Sequence, residues 1–197
     1  TLSLHDALPI SAHVLLSEKL GPLNPKQVEL LSAAREDSDK LHRIVESLLD
    51  IGKMESGRSK MQIRSISAEQ LVMQAVEEMR APFLDKGILL KVDVAPEAPA
   101  VLADELRIQY VFAILLSNAL KHTAAGGSVS ITAAPEGPMV RFAVEDTGTG
   151  IPDEYLPDIF EKCFRGGGQK QRSDTGLGRA IAKESIEAHG GQIRVES

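Results

Sequence analysis

Hydrophobic and polar positions follow two different periods along this chain, and the switches between them outline its elements. From Asn24 to about Ser56, Leu31, Ala34, Ser38, Leu41, Val45, Leu48 and Gly52 recur at heptad spacing, with Leu30, Ile44 and Ile51 beside the seam. This predicts a long helix. A single amphipathic helix packed on its own domain would show a similar stripe. A bundle is favoured because Gly57 to Lys60 reads as an exposed linker. Asn24 suits the N-cap and Pro25 the first helical position, after a turn at residues 21–25. Residues 11–20 read as the stub of a preceding helix.

Beyond the linker the period shortens to two. Met61 to Ser67 alternates as a strand does, and Ala68 to Lys86 returns to helical spacing, with Leu71, Ala75 and Met79 on one face. Ile88 to Val94 alternates again. Pro96 and Pro99 mark a loop, and Val101-Leu102 is a short strand. Asp104 to Lys121 predicts a helix whose run Val111 to Leu116 is apolar almost all round, so it should be buried. Ser128 to Ala134 and Met139 to Glu145 predict a hairpin across Pro135-Glu-Gly-Pro138, with Val140, Phe142 and Val144 facing one side. Leu177 to His189 is a last helix. Strands mixed with helices on one face predict an α/β fold, a two-layer sandwich, over residues 61–197.

Composition narrows the partners. Hydrophobic residues make up 43% of 197, enough for a real core. A net charge of −6 argues against nucleic acid as partner, which would call for a basic face. The single cysteine, Cys163, excludes an internal disulfide or a CxxC metal site, and reads as a small packed residue. No apolar run is long enough to span a bilayer.

Four segments carry candidate chemistry. Asp146-Thr-Gly-Thr-Gly-Ile-Pro152 follows the last predicted strand of the hairpin. A carboxylate there can accept from the exocyclic amine of adenine, and guanine presents an acceptor at that ring position. Gly148 and Gly150 let backbone approach a base where side chains would block it. In Leu115 to Thr123, Asn118, Lys121 and His122 fall within about one helical turn. An Asn oxygen suits Mg²⁺, a hard ion, and a Lys neutralises phosphate; the bland alternative is a solvated helix end. Thr175-Gly-Leu-Gly-Arg-Ala-Ile181 opens the last helix, and a glycine-rich turn there presents free N–H groups and a positive dipole end to phosphate. The alternative is an ordinary flexible turn. Phe160-Glu-Lys-Cys-Phe-Arg165 leads into three glycines, an aromatic-anchored hinge before a polar loop at residues 169–174, or merely a core-packing Phe160/Phe164 pair. No GxxxxGK[ST] occurs, which excludes a P-loop, and Pro152 and Asp153 stand where a dinucleotide motif needs its third Gly.

In their order and separations these segments resemble the N, G1, F and G2 boxes of the histidine kinase catalytic domain, the Bergerat-type ATPase fold, over residues 21 to 197. The resemblance implies ATP and Mg²⁺ as cofactors. It implies nucleotide contacts by Asp146, Gly148, Gly150, Ile151, His122, Phe164, Arg165, Thr175, Gly176, Leu177 and Gly178. Asn118 would bind the metal and Lys121 phosphate, with His122 where the family often places an aromatic ring. Two positions depart from the pattern. Ile114 replaces a second Asn one turn before Asn118, where related ATPases carry a Glu as base for water; Ile114 cannot serve as base or ligand, so water hydrolysis is not expected. Arg179 replaces a residue that is usually apolar; it either reaches phosphate or is solvated, and solvation is the expectation.

The resemblance also implies an antiparallel helical hairpin at residues 11–60, forming the four-helix bundle of a homodimer, and a response-regulator receiver domain as partner. His189 to Ser197 resembles the family's turn into a following strand, after which a further turn and closing strand are expected. Residues 1–10 resemble the translation of a sequencing-library adapter and are set aside from the fold. His5 imitates the family's acceptor motif with its Pro one residue too close, and His13 lacks the acidic neighbour and Pro, so no phosphoacceptor is assigned. The acceptor, and any membrane segment, are expected upstream of residue 11, making this a cytoplasmic portion of a protein in the bacterial inner or plasma membrane. A catalytically weak nucleotide-binding scaffold, motivated by Ile114, and an anti-sigma-type serine kinase are the alternatives. The heptad helix argues against the second.

Overall fold

The computed structural model describes residues 21–34, 61–162, 164 and 176–197. They belong to two compact units, residues 1–59 with 171–175 and residues 60–170 with 176–197.

In the first unit, residues 25–34 are helical (α1). Its start follows the expected chemistry. The Gln27 N–H donates to Asn24 Oδ1 at 2.9 Å, and the Asn24 N–H donates to Gln27 Oε1 at 2.9 Å. This reciprocal capping box satisfies two groups that a helix start otherwise leaves open. The heptad seam after Ala34, the linker, His5 and His13 lie outside the described residues.

The second unit runs β1 (Ile63–Ser67), α2 (Ala68–Asp85), β2 (Leu89–Val94), β3 (Ala100–Asp104), α3 (Glu105–His122), β4 (Ser128–Glu136), β5 (Met139–Asp146), a 3-10 turn at Asp153–Asp158 and α4 (Gly178–Ala188). Strands β1 and β3 form an antiparallel pair, with Ser65 opposite Leu102. The larger sheet has the order β2-β4-β5, with β2 parallel and β5 antiparallel to β4. Val129, Ile131 and Ala133 of β4 are buried at alternate positions, as one sheet face turned to a core requires. Against them lie Leu71, Val72, Ala75, Val76 and Phe83 of α2 and Ile108, Phe112, Leu116 and Ala119 of α3. Val140, Phe142 and Val144 share that face, and Phe142 meets Phe112 edge-on at 5.5 Å. Sheet below and helices above make the predicted two-layer sandwich.

Two expectations need correcting. The hairpin does not turn across Pro135-Glu-Gly-Pro138. Pro135 pairs with Val140 and Glu136 with Met139, leaving Gly137-Pro138 as the turn, with Gly137 at φ +60°. Pro135 is tolerated because β2 ends at Val94, opposite Ala133, so no strand asks for its missing N–H. Nor do the residues after α4 form a strand. Gly190 (φ +74°) closes α4, with the Gly191 N–H donating to Ile186 O at 3.0 Å. Residues 191–197 carry no ladder, although Ile193 and Val195 are half-buried at alternate positions.

Asp104 joins three elements. Its Oδ2 accepts from the Gln62 N–H at 2.8 Å and its Oδ1 from the Arg107 N–H at 3.2 Å, capping α3. The Asp104 N–H donates to His189 Nε2 at 2.9 Å, and His189 Nδ1 lies 2.7 Å from Ser185 O. That pair of contacts fixes the neutral tautomer with the proton on Nδ1. Burial pushes the Asp104 carboxyl pKa up, but the two backbone N–H donors, with the Arg107 charge, outweigh it and hold it below the ordinary 3.8. A depressed carboxyl stabilises the fold above its unfolded-state pKa and loses that contribution as pH falls through the folded value. We therefore expect acid unfolding below about pH 4 to carry an Asp104 component, and Asp104→Ala to cost about 1–2 kcal/mol at pH 7. Urea melts of both proteins at pH 7 and pH 3 check this: the difference should shrink at pH 3, and an unchanged difference contradicts it.

Candidate nucleotide site

The C-terminal half of α3 is where the candidate segments converge. Asn118 and His122 are half-buried there and Lys121 is exposed. The helix end is closed by Lys86, whose Nζ donates to Leu120 O at 2.6 Å and Lys121 O at 3.2 Å. A cation on the last carbonyls satisfies them and suits the negative end of the helix dipole.

The Asp146 to Pro152 segment packs directly on this helix end. A Cβ built on Gly148 would lie 2.7 Å from His122 O and 2.5 Å from Asp146 Oδ1, so only glycine fits. Asp146 is exposed, and its Oδ1 accepts from the Gly148 N–H at 2.8 Å. This Asx turn orients the carboxylate. Thr147 fixes where β5 stops: its N–H donates to Ser128 O at 3.1 Å, and its Oγ1 accepts from the Ser128 N–H at 3.0 Å. Gly150 adopts φ +68°, which favours glycine, and the half-buried Ile151 donates its N–H to Ser197 Oγ at 2.6 Å.

The glycine turn before α4 meets α3 one turn earlier. Gly176 is buried with φ +67°, and Leu177 is buried. A Cβ on Gly178 would stand 3.3 Å from Ile114 Cγ2. Ile114 is thus a packing residue facing the turn. The other end of α4 is pinned by the His189–Asp104 hydrogen bond. From Ile114 back to Asp104 is about 15 Å of helix, and from Gly178 to His189 about 16 Å. The matching spans mean that α3 and α4 lie antiparallel with a fixed register. That register sets the Gly176–Gly178 turn at Ile114, one helical turn before Asn118.

The aromatic segment is anchored. Phe164 is half-buried and meets Tyr155 edge-on at 5.8 Å. Lys162 Nζ and Glu184 Oε1 are 3.0 Å apart. Arg179 corrects the expectation of a solvated side chain: it is half-buried, its Nε donating to Ile159 O at 2.9 Å and its Nη2 to Phe164 O at 3.2 Å. Arg165 and Thr175 lie outside the described residues. The sequence-predicted residues Asn118, His122 and Gly148 are therefore brought to one helix end, with Gly176 to Gly178 next to it. Lys86 and His189 act in the same region without a local signal, since these partners are 34 to 85 positions away, and those of Arg179 are 15 and 20 away.

Among the described residues, no group of three or more His, Cys, Asp or Glu could hold a metal ion. Mg²⁺ held through phosphates and water does not call for such a group, and one amide oxygen beside them is a hard ligand that would fit it.

Residues 103–197 match the family described as histidine kinase-, DNA gyrase B-, and HSP90-like ATPase. The chain carries a sensor histidine kinase catalytic domain. Curated relatives agree with this assignment. The chain is 32% identical over 191 residues to the alginate biosynthesis sensor protein KinB of Pseudomonas aeruginosa, covering 94% of this chain and 31% of KinB. It is 32% identical over 193 residues to the adaptive-response sensory kinase SasA of a Synechocystis species, covering 98% of this chain and 50% of SasA. The chain thus spans half or less of these relatives. Among solved structures, full-length ShkA in complex with AMPPNP superposes with a TM-score of 0.73 at 29% identity, over 93% of this chain and 38% of ShkA. The catalytic domain of histidine kinase ThkA gives 0.62 at 28% identity, over 70% of this chain and 88% of that one. No described helix of the chain is long and apolar enough to cross a membrane.

Proposed function

We propose that this chain is the ATP-dependent kinase core of a two-component sensor, which phosphorylates a histidine on a dimerisation helix for transfer to a response-regulator aspartate. The observation that carries it is the packing of Gly148 on the His122 carbonyl, which sets the Asp146 carboxylate beside the helix end bearing Asn118. Asp146 Oδ1 is engaged by Gly148, and Oδ2 is the oxygen offered to the adenine amine. Gly148, Gly150 and Ile151 form the wall against the base, with His122 and Phe164 near it. Asn118 supplies an oxygen to Mg²⁺. Lys121 and the N–H groups of the Gly176–Gly178 turn meet the phosphates, and the family resemblance extends nucleotide contact to Thr175 and Arg165. When bound, Mg²⁺ offsets charge on the phosphate oxygens.

Phosphoryl transfer depends mainly on positioning and charge stabilisation. The histidine nitrogen forms a bond to the γ-phosphorus as the bond to the β–γ bridging oxygen breaks, and ADP leaves. Ile114 offers no base, which disfavours attack by water and suits a transferase. The proposed setting is a homodimer joined through helices such as α1, on the cytoplasmic side of a membrane.

Acid stability of the product distinguishes histidine from serine transfer. Given Mg-ATP labelled at the γ-phosphate and the intact helical hairpin of the full-length protein, the chain should label that hairpin with acid-labile phosphate. Acid-stable label would instead support the serine kinase reading. Tight ATP binding with no transfer would support a nucleotide-binding scaffold.

A further inference from the structure

Arg179 opens the first turn of α4, directly after the Gly176–Gly178 turn. A guanidinium there invites a phosphate contact. Its hydrogen bonds go elsewhere, to Ile159 O at 2.9 Å and Phe164 O at 3.2 Å. These carbonyls bracket the stretch between the 3-10 turn and the glycine-rich loop. Ile159 is buried, Phe164 packs on Tyr155, and Lys162 reaches Glu184 further along the same helix. Nε and Nη2, two nitrogens of one rigid planar group, thus each take one acceptor in a fixed fork, which an apolar side chain lacks and a single ammonium nitrogen does not reproduce. Hydrogen bonds from an ionised donor are also stronger than neutral ones.

We propose that Arg179 is a positioning residue that straps the Ile159–Phe164 stretch to the helix whose N-terminal turn receives phosphate. The proposal rests on the nucleotide reading given under Proposed function. The strap orders this stretch before nucleotide arrives, so less ordering is required on binding. Its effect on affinity is exerted through backbone and not through charge offered to the ligand.

Three full-length chains test this: wild type, Arg179→Leu and Arg179→Lys. Two readouts are needed, hydrogen exchange of the nucleotide-free proteins and titration with Mg-ATP. In Arg179→Leu, exchange should rise at amides 159–164 and remain unchanged in β4 and α2, with a Kd about five- to thirtyfold higher, mainly through faster dissociation. Arg179→Lys should recover no more than part of the loss, since it keeps the charge but has one donor nitrogen where Nε and Nη2 stand. Full recovery by Lys would overturn the strap in favour of a charge contact. Wild-type affinity in Arg179→Leu, or exchange unchanged at 159–164, would also overturn it. A wild-type chain that binds no Mg-ATP overturns the nucleotide reading and the affinity half of the proposal, while the exchange result still shows whether the strap orders the stretch.

Discussion

Gly148→Ala should weaken Mg-ATP binding at least about tenfold and destabilise the second unit by about 1–3 kcal/mol, the scale for overpacking a tight site. The added methyl would sit 2.7 Å from His122 O and 3.0 Å from His122 C. Those atoms are backbone, held by the helix end that Lys86 caps, and cannot rotate away. The third close atom, Asp146 Oδ1 at 2.5 Å, is the orienting partner of the Gly148 N–H, so relief by moving it spoils the carboxylate's aim. Gly137→Ala is the matched control. Its methyl meets nothing within 4 Å, although φ is +60°. It should lose about 1–2 kcal/mol of stability through left-handed backbone strain and keep wild-type affinity. Calorimetric titration of both variants checks this. Equal affinities would mean that Gly148 does not shape the pocket.

Asn118→Ala should abolish the Mg²⁺-dependent part of nucleotide binding. At a ligand concentration 100 times Kd, a folded-state ligand raises stability by about 2.7 kcal/mol. The wild type should show a stabilisation of that size with Mg-ATP and less with ATP alone, and in Asn118→Ala the two should coincide. Ile114→Asn makes the contrast, one turn away on the same helix. It replaces a side chain packed at Gly178, so it should lower stability by about 1–3 kcal/mol. Its Mg²⁺ dependence should survive. Thermal melts with ATP and with Mg-ATP separate the two effects. Full Mg²⁺-dependent stabilisation in Asn118→Ala would remove that residue from the metal site.

Period and turn chemistry made most elements legible in the sequence. The alternation of Val129, Ile131 and Ala133, the helical spacing of Leu71 and Ala75, and Asn24 before Pro25 are local signals, and the structure uses each of them. The convergence of Asn118, Gly148 and Gly178 was legible only through motif order, because no local rule brings residues 30 to 60 positions apart together. What stayed hidden depends on long-range partners. Lys86 reads as a surface cation and caps a helix that ends 36 positions later. His189 reads as a helix end and is the acceptor that aligns α4 with α3. Arg179 reads as solvated because an isolated surface charge usually is, and two carbonyls from another segment claim it instead. Pro135 reads as part of the turn because Pro breaks ladders, yet β2 stops short of it. The strand expected after Gly191 had the right alternation at Ile193 and Val195, but alternation alone supplies no ladder partner.

The central claim is that Asp146 reads adenine in a magnesium-nucleotide site. Titration of the chain with Mg-ATP and with Mg-GTP, repeated on Asp146→Asn, tests it most directly. The wild type should bind ATP in clear preference to GTP. Asp146→Asn, which sets a donor against the adenine amine, should lose about 1.5–3 kcal/mol of ATP affinity, the scale for a hydrogen bond to a charged group. Equal affinity of the wild type for the two nucleotides, or an Asp146→Asn variant that binds ATP as the wild type does, would contradict it.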